Sequence, residues 1–554
     1  MNVSQLLVQA LERNGVKYAF GYPGDESLPF MEAVRQSDQM DFVLTRHEAG
    51  AGFMAGVYGH LTGELAVAMS TLGAGATNLA TPVASAWLAE YPMLVITGQK
   101  PILDNRQGRY QLIDVVDVMG PITKFSATVN SPEALPHIVA DAIHQALEFP
   151  QGPVHIELPL DVAQLDVADT ALLPPTVAHT PGPSPSAVEA VVERLKSAKR
   201  PLVLLGAGGN SRHTLPDALR RFIDHTGIFA ISTMMGKGVI DERSEQYVGT
   251  AGMPGMGIPN CAVQHADVIV SIGHNMVEKS PFIMSPDGPE VIHVHERSAT
   301  PDTIWFPQLQ LLGDMALSMD ALTAALDPLP GWDLDGFSKL SSAFRMAIDA
   351  PPALEALDGV LKPQAVASII RGALEPDDVL ALDNGIHKLW LTRNYFASQP
   401  RGVIVDSALG SMGTGVPSAV AAKLVHPDQH VLAVVGDGGF MMTGGVLDTA
   451  VRLQLDLVVV VFNDGGLGMI RLKQSMMGLD NYGVDFPSPD IVTYAKAHGA
   501  HGSRVETTEE LEAALSSAFA SGGVHVIDVP VDYRENGPLM QSMKMIDCST
   551  ILGS

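Results

Sequence analysis

Nine short apolar runs limit the fold of this chain more than any other feature. Each run is rich in Val, Ile and Leu, and a helix-length stretch separates it from the next. Strands that are apolar along their whole length are typical of parallel sheets covered on both faces by helices. The runs form three groups of three: LAVAMST, MLVIT and VHIEL; PLVLLG, VIVSIG and VIHVH; VLALD, VLAVVGD and LVVVVFND. We therefore predict an α/β protein made of three doubly wound units with parallel sheets.

The length and two composition breaks predict where these units begin and end. A chain of 554 residues exceeds what one hydrophobic core usually serves. The stretch from Leu172 to Ala187 is rich in Pro, Gly and Ser, as linkers are. A second, more diffuse break opens at residues 327–336 and closes at residues 350–363. The predicted domains are residues 1–170, 187–327 and 360–554.

Charge and cysteine content exclude several classes of protein. The net charge is −27, with 34 Lys and Arg against 61 Asp and Glu, so the surface repels nucleic acid and anionic membranes. Cys261 and Cys548 are far apart in sequence, which argues against a disulfide framework or a Cys-based zinc site and favours a reducing compartment. The N-terminal residues have the pattern of an amphipathic helix, and no apolar run of about 18 residues occurs. We expect a soluble, cytoplasmic protein.

The run HVLAVVGDGGFMM places an acidic residue, Asp437, at the end of a buried strand. Ligands of open parallel sheets bind at the carboxyl ends of strands, where glycines permit close approach of a phosphate. A second strand ends on Asp464, 27 residues later (464 − 437), again followed by glycines. If the strands are neighbours, both carboxylates and the Gly466 carbonyl converge on one hard cation that also holds a diphosphate. A single GDGG is more often a turn, whereas the pair at this spacing is far more specific.

These motifs resemble those of the thiamine diphosphate-dependent superfamily of acetolactate synthase, pyruvate decarboxylase and benzoylformate decarboxylase. The resemblance implies that Asp437, Asp464 and Gly466 hold Mg²⁺ or another divalent ion, and that the first and third units form the thiamine diphosphate-binding fold. Asp464 stands where many relatives have Asn, but catabolic acetolactate synthases, which the chain resembles most, share it. Gly445 and Val446 depart from the family's usual Gln-Glu pair. By the same resemblance, glycines next to Asp437 contact the cofactor: Gly436, Gly438 and Gly439.

The stretch TRHEAGAGFMAGVYGHLTG supplies a second signature, centred on Glu48. A surface Glu in a helix is usually a solvated charge. However, RHE followed by a helix of small residues resembles the family's catalytic signature. There the glutamate hydrogen-bonds a pyrimidine nitrogen of the cofactor and promotes the imino form that removes the thiazolium proton. The resemblance implies this role for Glu48, in a pyrimidine-binding first domain that acts with the diphosphate-binding third domain.

Three further stretches resemble cofactor loops of the family. TLGAGATN carries Asn78, and DNGIHKLW places Gly385 and His387 at the diphosphate, with a purely structural histidine as the alternative. GSMGTGVP resembles the loop whose large apolar residue, here Met412, forces the bent conformation of the cofactor. The remaining residues that the resemblance places at the cofactor are Gly410, Ser411, Leu467 and Ile470.

The resemblance also implies an assembly. In the superfamily the cofactor lies between the first domain of one subunit and the third domain of another. Glu48 and Asp437 are then expected to meet across a subunit interface. A homodimer is the minimum active unit, and a homotetramer is expected.

The predicted reaction is decarboxylation of a small 2-oxo acid followed by carboligation. GRYQLID resembles the segment that places Gln111 over the thiazolium, with Tyr110 beside it. The chain lacks the His-His pair of pyruvate decarboxylases, and Ile470 stands where those enzymes have a catalytic Glu. Asp25 favours the alternative, a non-oxidative decarboxylase that releases an aldehyde, because simple decarboxylases place Asp there. The alternative for Asp25 is a helix N-cap or turn aspartate that points away from the pocket.

Two further questions concern flavin and catalysis itself. RPLVLLGAGG and STMMGKG resemble the central domain common to the superfamily, whereas VIVSIGHNMVEKSP and VIHVHERS resemble its flavin-free members. We therefore expect no FAD. A cofactor-binding protein without turnover is the remaining hypothesis, and Glu48 argues against it because binding alone needs no proton relay.

Overall fold

The fold comprises three parallel six-stranded sheets, as predicted. The computed structural model describes residues 1–103, 108–167, 172–174, 179–211, 213–251, 257–278, 281–350, 357–537 and 546–553. The predicted linker at residues 172–187 and the second break at residues 327–363 lie partly outside these ranges. The exact domain boundaries therefore stay a prediction.

The first sheet has the strand order β2-β1-β3-β4-β6-β5. Its strands are β1 (Tyr18–Gly21), β2 (Asp41–Leu44), β3 (Val67–Ser70), β4 (Met93–Gln99), β5 (Ser126–Thr128) and β6 (Pro153–Pro159). Its helices are α1 (Val3–Arg13), α2 (Leu28–Arg35), α3 (Glu48–Thr62), α4 (Ala74–Asn78), α5 (Ala80–Ala89), α6 (Val115–Met119), α7 (Leu135–Leu147) and α8 (Leu160–Ala163). Short 3₁₀ helices span Asp25–Ser27, Gly120–Ile122 and Pro132–Ala134.

The second sheet has the order β12-β11-β10-β7-β8-β9. Its strands are β7 (Pro201–Leu205), β8 (Phe229–Ser232), β9 (Tyr247–Thr250), β10 (Val268–Ile272), β11 (Glu290–His295) and β12 (Leu309–Leu312). Its helices are α9 (Pro185–Ser197), α10 (Gly208–Ser211), α11 (Leu215–Thr226), α12 (Gly257–His265), α13 (Met315–Ala325) and α14 (Asp335–Asp349).

The third sheet has the order β14-β13-β15-β16-β18-β17. Its strands are β13 (Val379–Leu382), β14 (Val403–Val405), β15 (Val431–Gly436), β16 (Leu457–Asn463), β17 (His501–Arg504) and β18 (Val524–Pro530). The helices from here to the C-terminus are α15 (Pro363–Ala373), α16 (Ile386–Asn394), α17 (Gly415–Val425), α18 (Asp437–Thr443), α19 (Val446–Arg452), α20 (Gly468–Met476), α21 (Ile491–Ala497), α22 (Thr508–Ser521) and α23 (Cys548–Leu552). Counted within each unit, the first and third sheets have the same strand order, and the second differs.

The predicted apolar runs all form strands, and most of their residues are buried. They are β3, β4, β6, β7, β10, β11, β13, β15 and β16. Several other strands lie at sheet edges and are short or polar, such as β2 (DFVL) and β17 (HGSR), so composition alone did not reveal them. The predicted N-terminal helix is α1, whose capping box joins Asn2 and Gln5 through two hydrogen bonds of 2.9 Å. Within the described ranges, no helix has both the length and the apolar character to span a bilayer.

Helix α3 joins the first and third units. Its glycines allow close packing: a Cβ at Gly52 would lie 2.5 Å from Pro82 Cγ, and one at Gly59 would lie 2.0 Å from the Pro92 carbonyl oxygen. One hydrophobic cluster runs from Met54 of α3 to Val420 of α17, so the two units share a core. The carboxyl edges of both sheets are thereby held in a defined relation.

The two cysteines form a disulfide, so the prediction that they would not pair is wrong. Cys261 of α12 and Cys548 of α23 have Cα atoms 5.5 Å apart despite a sequence separation of 287 residues. Helix α23 returns to the second unit, where Ile551 packs against its apolar cluster and Lys339 Nζ donates to the Leu552 carbonyl at 3.0 Å. Sequence separation was a poor guide because it says nothing about where the chain end packs.

Candidate active site

Four aspartates directly follow four neighbouring strands of the third sheet. They are Asp406 after β14, Asp383 after β13, Asp437 after β15 and Asp464 after β16. Because the strands are parallel, all four residues lie at the same edge of the sheet. Their hydrogen-bond partners divide them into two pairs.

Asp437 and Asp464 lie at the tips of hydrogen-bonded strands, in which Gly436 is in register with Phe462. The Asp437 side chain is buried, and its carboxylate accepts from the amides of Gly438 and Gly465, each at 2.9 Å, and from the Ser488 hydroxyl. Asp464 accepts from Arg471 Nη1 at 2.9 Å. The sequence interpretation had missed Arg471 and Ser488.

The electrostatics of this pair suit a divalent cation. Burial raises the pKa of Asp437, although its hydrogen bonds oppose the change. Burial and then the charge of Asp437 raise the pKa of Asp464 to about 7, against the pull of Arg471. The described residues contain no group of three or more His, Cys, Asp or Glu side chains suited to a metal. Two carboxylates would therefore need ligand oxygens to complete the shell of a hard cation, as a bound diphosphate provides.

Glycines around the pair leave no space for side chains. A Cβ at Gly466 would lie 2.4 Å from the Val484 carbonyl oxygen, and one at Gly439 would lie 2.0 Å from Asp383 Oδ2. A Cβ at Gly438 would lie 3.3 Å from Leu467 and 3.5 Å from the Met412 methyl. The predicted glycine loops therefore bring backbone close to the carboxylates.

Asp383 and Asp406 bind the backbone amides of the loop at residues 408–414. Asp383 Oδ1 accepts from the Gly413 amide at 2.8 Å and from the Thr414 amide at 3.0 Å. Asp406 accepts from the amides of residues 408–411 at 3.0–3.3 Å and from the Ser85 hydroxyl at 3.1 Å. They shape the loop that carries Met412. Neither was predicted as a site residue, although each directly follows an apolar run, as Asp437 does.

His387 lies in the first turn of α16 and is buried. Its Nε2 contacts the Asp383 carbonyl oxygen at 3.0 Å, and burial lowers its pKa to about 4. The ring is therefore neutral at physiological pH. A Cβ at Gly385, two residues before His387, would lie 2.5 Å from the ring, so glycine is favoured at this N-cap of α16.

A cavity of about 610 Å³ opens between the third and second units. The third unit contributes most of the residues predicted at the cofactor: Gly385, His387, Gly410, Met412, Gly436, Asp437, Gly438, Gly439, Asp464, Gly466, Leu467 and Ile470. Ser411 lies behind the wall, where its carbonyl accepts from Asn384 Nδ2 at 2.6 Å. The second unit contributes Met234, Val277 and the buried Glu278. Every described residue that lines the cavity comes after residue 232, so none belongs to the first unit.

Glu48 lies outside this cavity, at the start of α3. The His47 ring caps the helix by accepting from the Ala49 amide at 3.0 Å. Glu48 is 8% exposed, and its Oε2 accepts from Asn78 Nδ2 at 2.9 Å. A Cβ at Gly75 would lie 3.1 Å from Glu48 Oε1. Glu48 is therefore a buried, oriented carboxylate rather than a solvated charge.

The other predicted first-unit residues lie in loops after β1 and β4. Gln111 has a φ of 59° and packs against Gly73, while Tyr110 is exposed, with Lys100 Nζ 5.7 Å from its ring centroid. Asp25 is exposed as the first residue of its 3₁₀ helix. Neighbouring Glu26, which the sequence interpretation missed, is buried.

Glu26 bonds the Thr71 hydroxyl at 2.7 Å and Lys100 Nζ at 2.8 Å. Burial alone would raise the pKa of Glu26, but these two bonds lower it. This buried ion pair ties the Asp25 turn to the loop after β4.

Within one chain, the beginning of α3 contacts α19 rather than the Asp437 cavity. Arg46 pairs with Asp448 at 2.8 Å, and the Thr449 hydroxyl donates to the Leu44 carbonyl at 3.0 Å. One chain thus presents two separate sets of predicted site residues, one on the first unit and one on the third.

Comparisons with known proteins match this architecture unit by unit. Three thiamine pyrophosphate enzyme family models match: the N-terminal TPP binding domain at residues 1–118, the central domain at residues 188–322 and the C-terminal TPP binding domain at residues 383–529. The acetolactate synthase isozyme 2 large subunit of Escherichia coli is 31% identical, over 97% of this chain and 96% of its own length. A probable acetolactate synthase large subunit of Methanocaldococcus jannaschii is 30% identical, over 98% and 93%. A catabolic acetolactate synthase of Raoultella terrigena is 28% identical, over 98% and 97%.

Proposed function

This chain belongs to the acetolactate synthase family of thiamine diphosphate-dependent enzymes, and we propose that it joins two pyruvate molecules to form acetolactate and carbon dioxide. The family and its relatives establish thiamine diphosphate-dependent decarboxylation and carboligation of 2-oxo acids as the activity class. Pyruvate is proposed as donor and acceptor because the relatives are acetolactate synthases.

The pairing of Asp437 with Asp464 at the cavity edge carries this proposal. The two carboxylates and the Gly466 carbonyl would hold Mg²⁺, and the metal would hold the diphosphate. Gly436, Gly438 and Gly439 would admit the phosphates, while Met412, Leu467 and Ile470 would pack against the cofactor. When bound, the cofactor supplies the nucleophilic carbon that attacks a 2-oxo acid.

Glu48 would act from a partner subunit. Its buried carboxylate, oriented by Asn78, would hydrogen-bond the pyrimidine end of the cofactor and hold its proton there. Among the described residues, the cavity lining includes none from the first unit, which supports a second chain as the source of Glu48. Exposed apolar side chains on both units are suited to such an interface: Trp87, Leu103 and Leu112 on the first, and Met441, Met442 and Met477 on the third. We propose a homodimer as the active unit, assembled further into a homotetramer.

Carboligation rather than aldehyde release is supported by the apolar cavity wall around Ile470, Leu472 and Met476. Gln111 and Tyr110 would reach this wall from the partner subunit. Asp25 lies exposed at the same edge of the first unit, where a decarboxylase would use it as a proton donor. In carboligation the acceptor is a second 2-oxo acid, whereas in aldehyde release the acceptor is a proton.

No flavin is required in this proposal. A Cβ at Gly206 would lie 2.3 Å from His274 Cα, and the Gly208 amide donates to the Gly273 carbonyl at 2.8 Å. The loops after β7 and β10 therefore pack directly on each other at the centre of the second sheet, where a nucleotide would otherwise enter.

Product analysis tests the proposal. Purified protein with thiamine diphosphate, Mg²⁺ and pyruvate should form acetolactate and carbon dioxide, and removing Mg²⁺ with a chelator should stop turnover. Acetaldehyde as the only organic product would support the decarboxylase instead. Asp25→Ala is the matched variant, because it should abolish aldehyde release but leave acetolactate formation within a few-fold.

We also propose a cytoplasmic location, which the disulfide puts to the test. In a reducing compartment most cysteines remain free thiols, whereas Cys261 and Cys548 form a disulfide here. Thiol titration of protein isolated under alkylating conditions should find both cysteines free if the location is cytoplasmic, and joined if it is oxidising.

A further inference from the structure

The hydroxyl of Tyr533 is a buried donor at the cofactor cavity. Tyr533 lines the cavity together with Asp464 and Asp437. Its hydroxyl oxygen is inaccessible to solvent and makes no hydrogen bond within the described residues. A buried hydroxyl without a partner is unfavourable, so native proteins usually supply one. The position in the cavity wall indicates that the missing partner is a ligand.

The chain holds this tyrosine close to the two metal-binding candidates. Strand β18 pairs with β16, so the residue after β18, Val531, donates its amide to the Asn463 carbonyl at 3.1 Å. Asp464 directly follows Asn463, and Tyr533 lies two residues beyond Val531. Burial raises the pKa of the Tyr533 hydroxyl well above its ordinary value, and the charges of Asp464 and Asp437 raise it further. The hydroxyl therefore keeps its proton and can donate it in a hydrogen bond.

Buried ionic and polar contacts fix the turn that carries Tyr533. Lys362 Nζ donates to Asp532 at 2.6 Å and lies 3.5 Å from Glu535, and all three side chains are buried. Trp390 Nε1 donates to Asn536 at 2.8 Å. Trp390 belongs to α16, the helix whose first turn carries His387. Burying such charges is costly unless they are paired, and here the pairing holds residues 532–536 in one conformation.

We propose that the Tyr533 hydroxyl donates a hydrogen bond to an oxygen of the metal–diphosphate held by Asp437 and Asp464, as a positioning residue for the cofactor. The acceptor is a phosphate oxygen or a metal-bound water, which share the same oxygen chemistry. This inference rests on the proposed function and adds a further residue to the same site.

The test compares the wild-type protein with Tyr533→Phe, which removes only the hydroxyl. Fluorescence titration in Mg²⁺ should give a thiamine diphosphate dissociation constant about ten-fold higher for the variant, as expected for one hydrogen bond to a charged group. Titration with inorganic pyrophosphate and Mg²⁺ should show a similar ratio, because the contact is to the diphosphate end. Tyr482→Phe, which removes an exposed hydroxyl from the same unit, should bind as the wild type does.

Thermal unfolding separates this role from simple packing. Without cofactor, Tyr533→Phe should unfold at the wild-type temperature or slightly above it, because the hydroxyl has no partner to lose. With cofactor and Mg²⁺, its stabilisation should be smaller than that of the wild type. Equal affinities would overturn the inference, as would equal destabilisation with and without cofactor. A wild-type protein that binds no thiamine diphosphate would overturn the proposed function instead.

Discussion

The first and third sheets share one strand order but present different chemistry at their carboxyl edges. The edge of the first sheet presents a buried glutamate, Glu48, oriented by Asn78. The edge of the third sheet presents a row of aspartates that end in the Asp437–Asp464 pair. The same topology therefore builds two halves of one site, and the residues just after each strand decide which end of a ligand each half can bind.

A second contrast lies within the third sheet. Asp383 and Asp406 accept hydrogen bonds from backbone amides and shape a loop, whereas burial and the charge of Asp437 raise the pKa of Asp464. Aspartates at equivalent strand ends therefore have different roles: one pair shapes a loop, and the other pair lies at the proposed metal site. The surplus of negative charge marks the pair that needs a cation.

The largest expected effect comes from Glu48→Gln, which tests whether the first-sheet edge serves chemistry alone. Turnover should fall by about 10²–10⁴-fold, as for loss of a general acid–base group. Metal-dependent cofactor affinity should change only a few-fold, since the third sheet holds the diphosphate. Glu64→Gln, just beyond the same helix, is the control. If Glu48→Gln did not bind the cofactor at all, the assignment of chemistry to the first-sheet edge and of diphosphate binding to the third-sheet edge would be wrong.

Asp437→Asn tests the carboxyl edge of the third sheet. It should weaken thiamine diphosphate binding in Mg²⁺ by about 100-fold, because one ligand charge is removed from the cation site. Isothermal titration calorimetry would measure the dissociation constant of thiamine diphosphate, with Asp480→Asn, at an exposed position, as the matched control. Unchanged affinity would mean that the aspartate pair does not hold the metal.

The pH dependence sharpens the contrast between the two aspartate pairs. The pKa of Asp464 is about 7 in the folded protein and lower in the unfolded chain. Between about pH 4 and 7 the metal-free folded protein therefore binds more protons than the unfolded chain does. Its stability should therefore fall as pH rises through that window. Mg²⁺-dependent cofactor affinity should rise over the same range, by at most about ten-fold per pH unit, because metal displaces the proton.

Asp464→Asn supplies the check on that pH dependence. Both slopes should be smaller in the variant when thermal unfolding and cofactor titration are repeated from pH 5.5 to 8, and Asp437, whose pKa burial also raises, should keep a residual contribution. Slopes of wild-type size in the variant would assign them to another group.

The smallest effect on the cofactor is expected from Asp406→Asn, at the other type of strand end. An amide has one acceptor oxygen where the carboxylate has two, so the amides of residues 408–411 and the Ser85 hydroxyl would lose part of their bonding. Unfolding free energy should drop by about 1–3 kcal/mol, with only a few-fold loss of cofactor affinity. Denaturant titration measures the drop, and the exposed Asp428→Asn should show none. A loss of affinity as large as that of Asp437→Asn would place Asp406 at the ligand itself.

Much of this architecture could be predicted from the sequence, because local pattern reports burial directly. Uniform apolar runs identified the central strands of all three sheets, and the residues after β15 and β16 identified Asp437 and Asp464. The RHE motif selected Glu48 on resemblance. Short edge strands escaped notice, since partial exposure lets polar residues enter them.

Other features were decided only by the tertiary structure. Four aspartates follow four strands, yet the sequence does not say that amides from residues 408–414 bind two of them, while the charge of Asp437 acts on Asp464. The Cys261–Cys548 bond and the placement of Tyr533 likewise depend on where distant segments pack. Hydrophobic periodicity is a property of neighbouring residues along the chain, and so it can be read from the sequence. Charge compensation is a property of neighbours in space, and those neighbours exist only once the chain has folded.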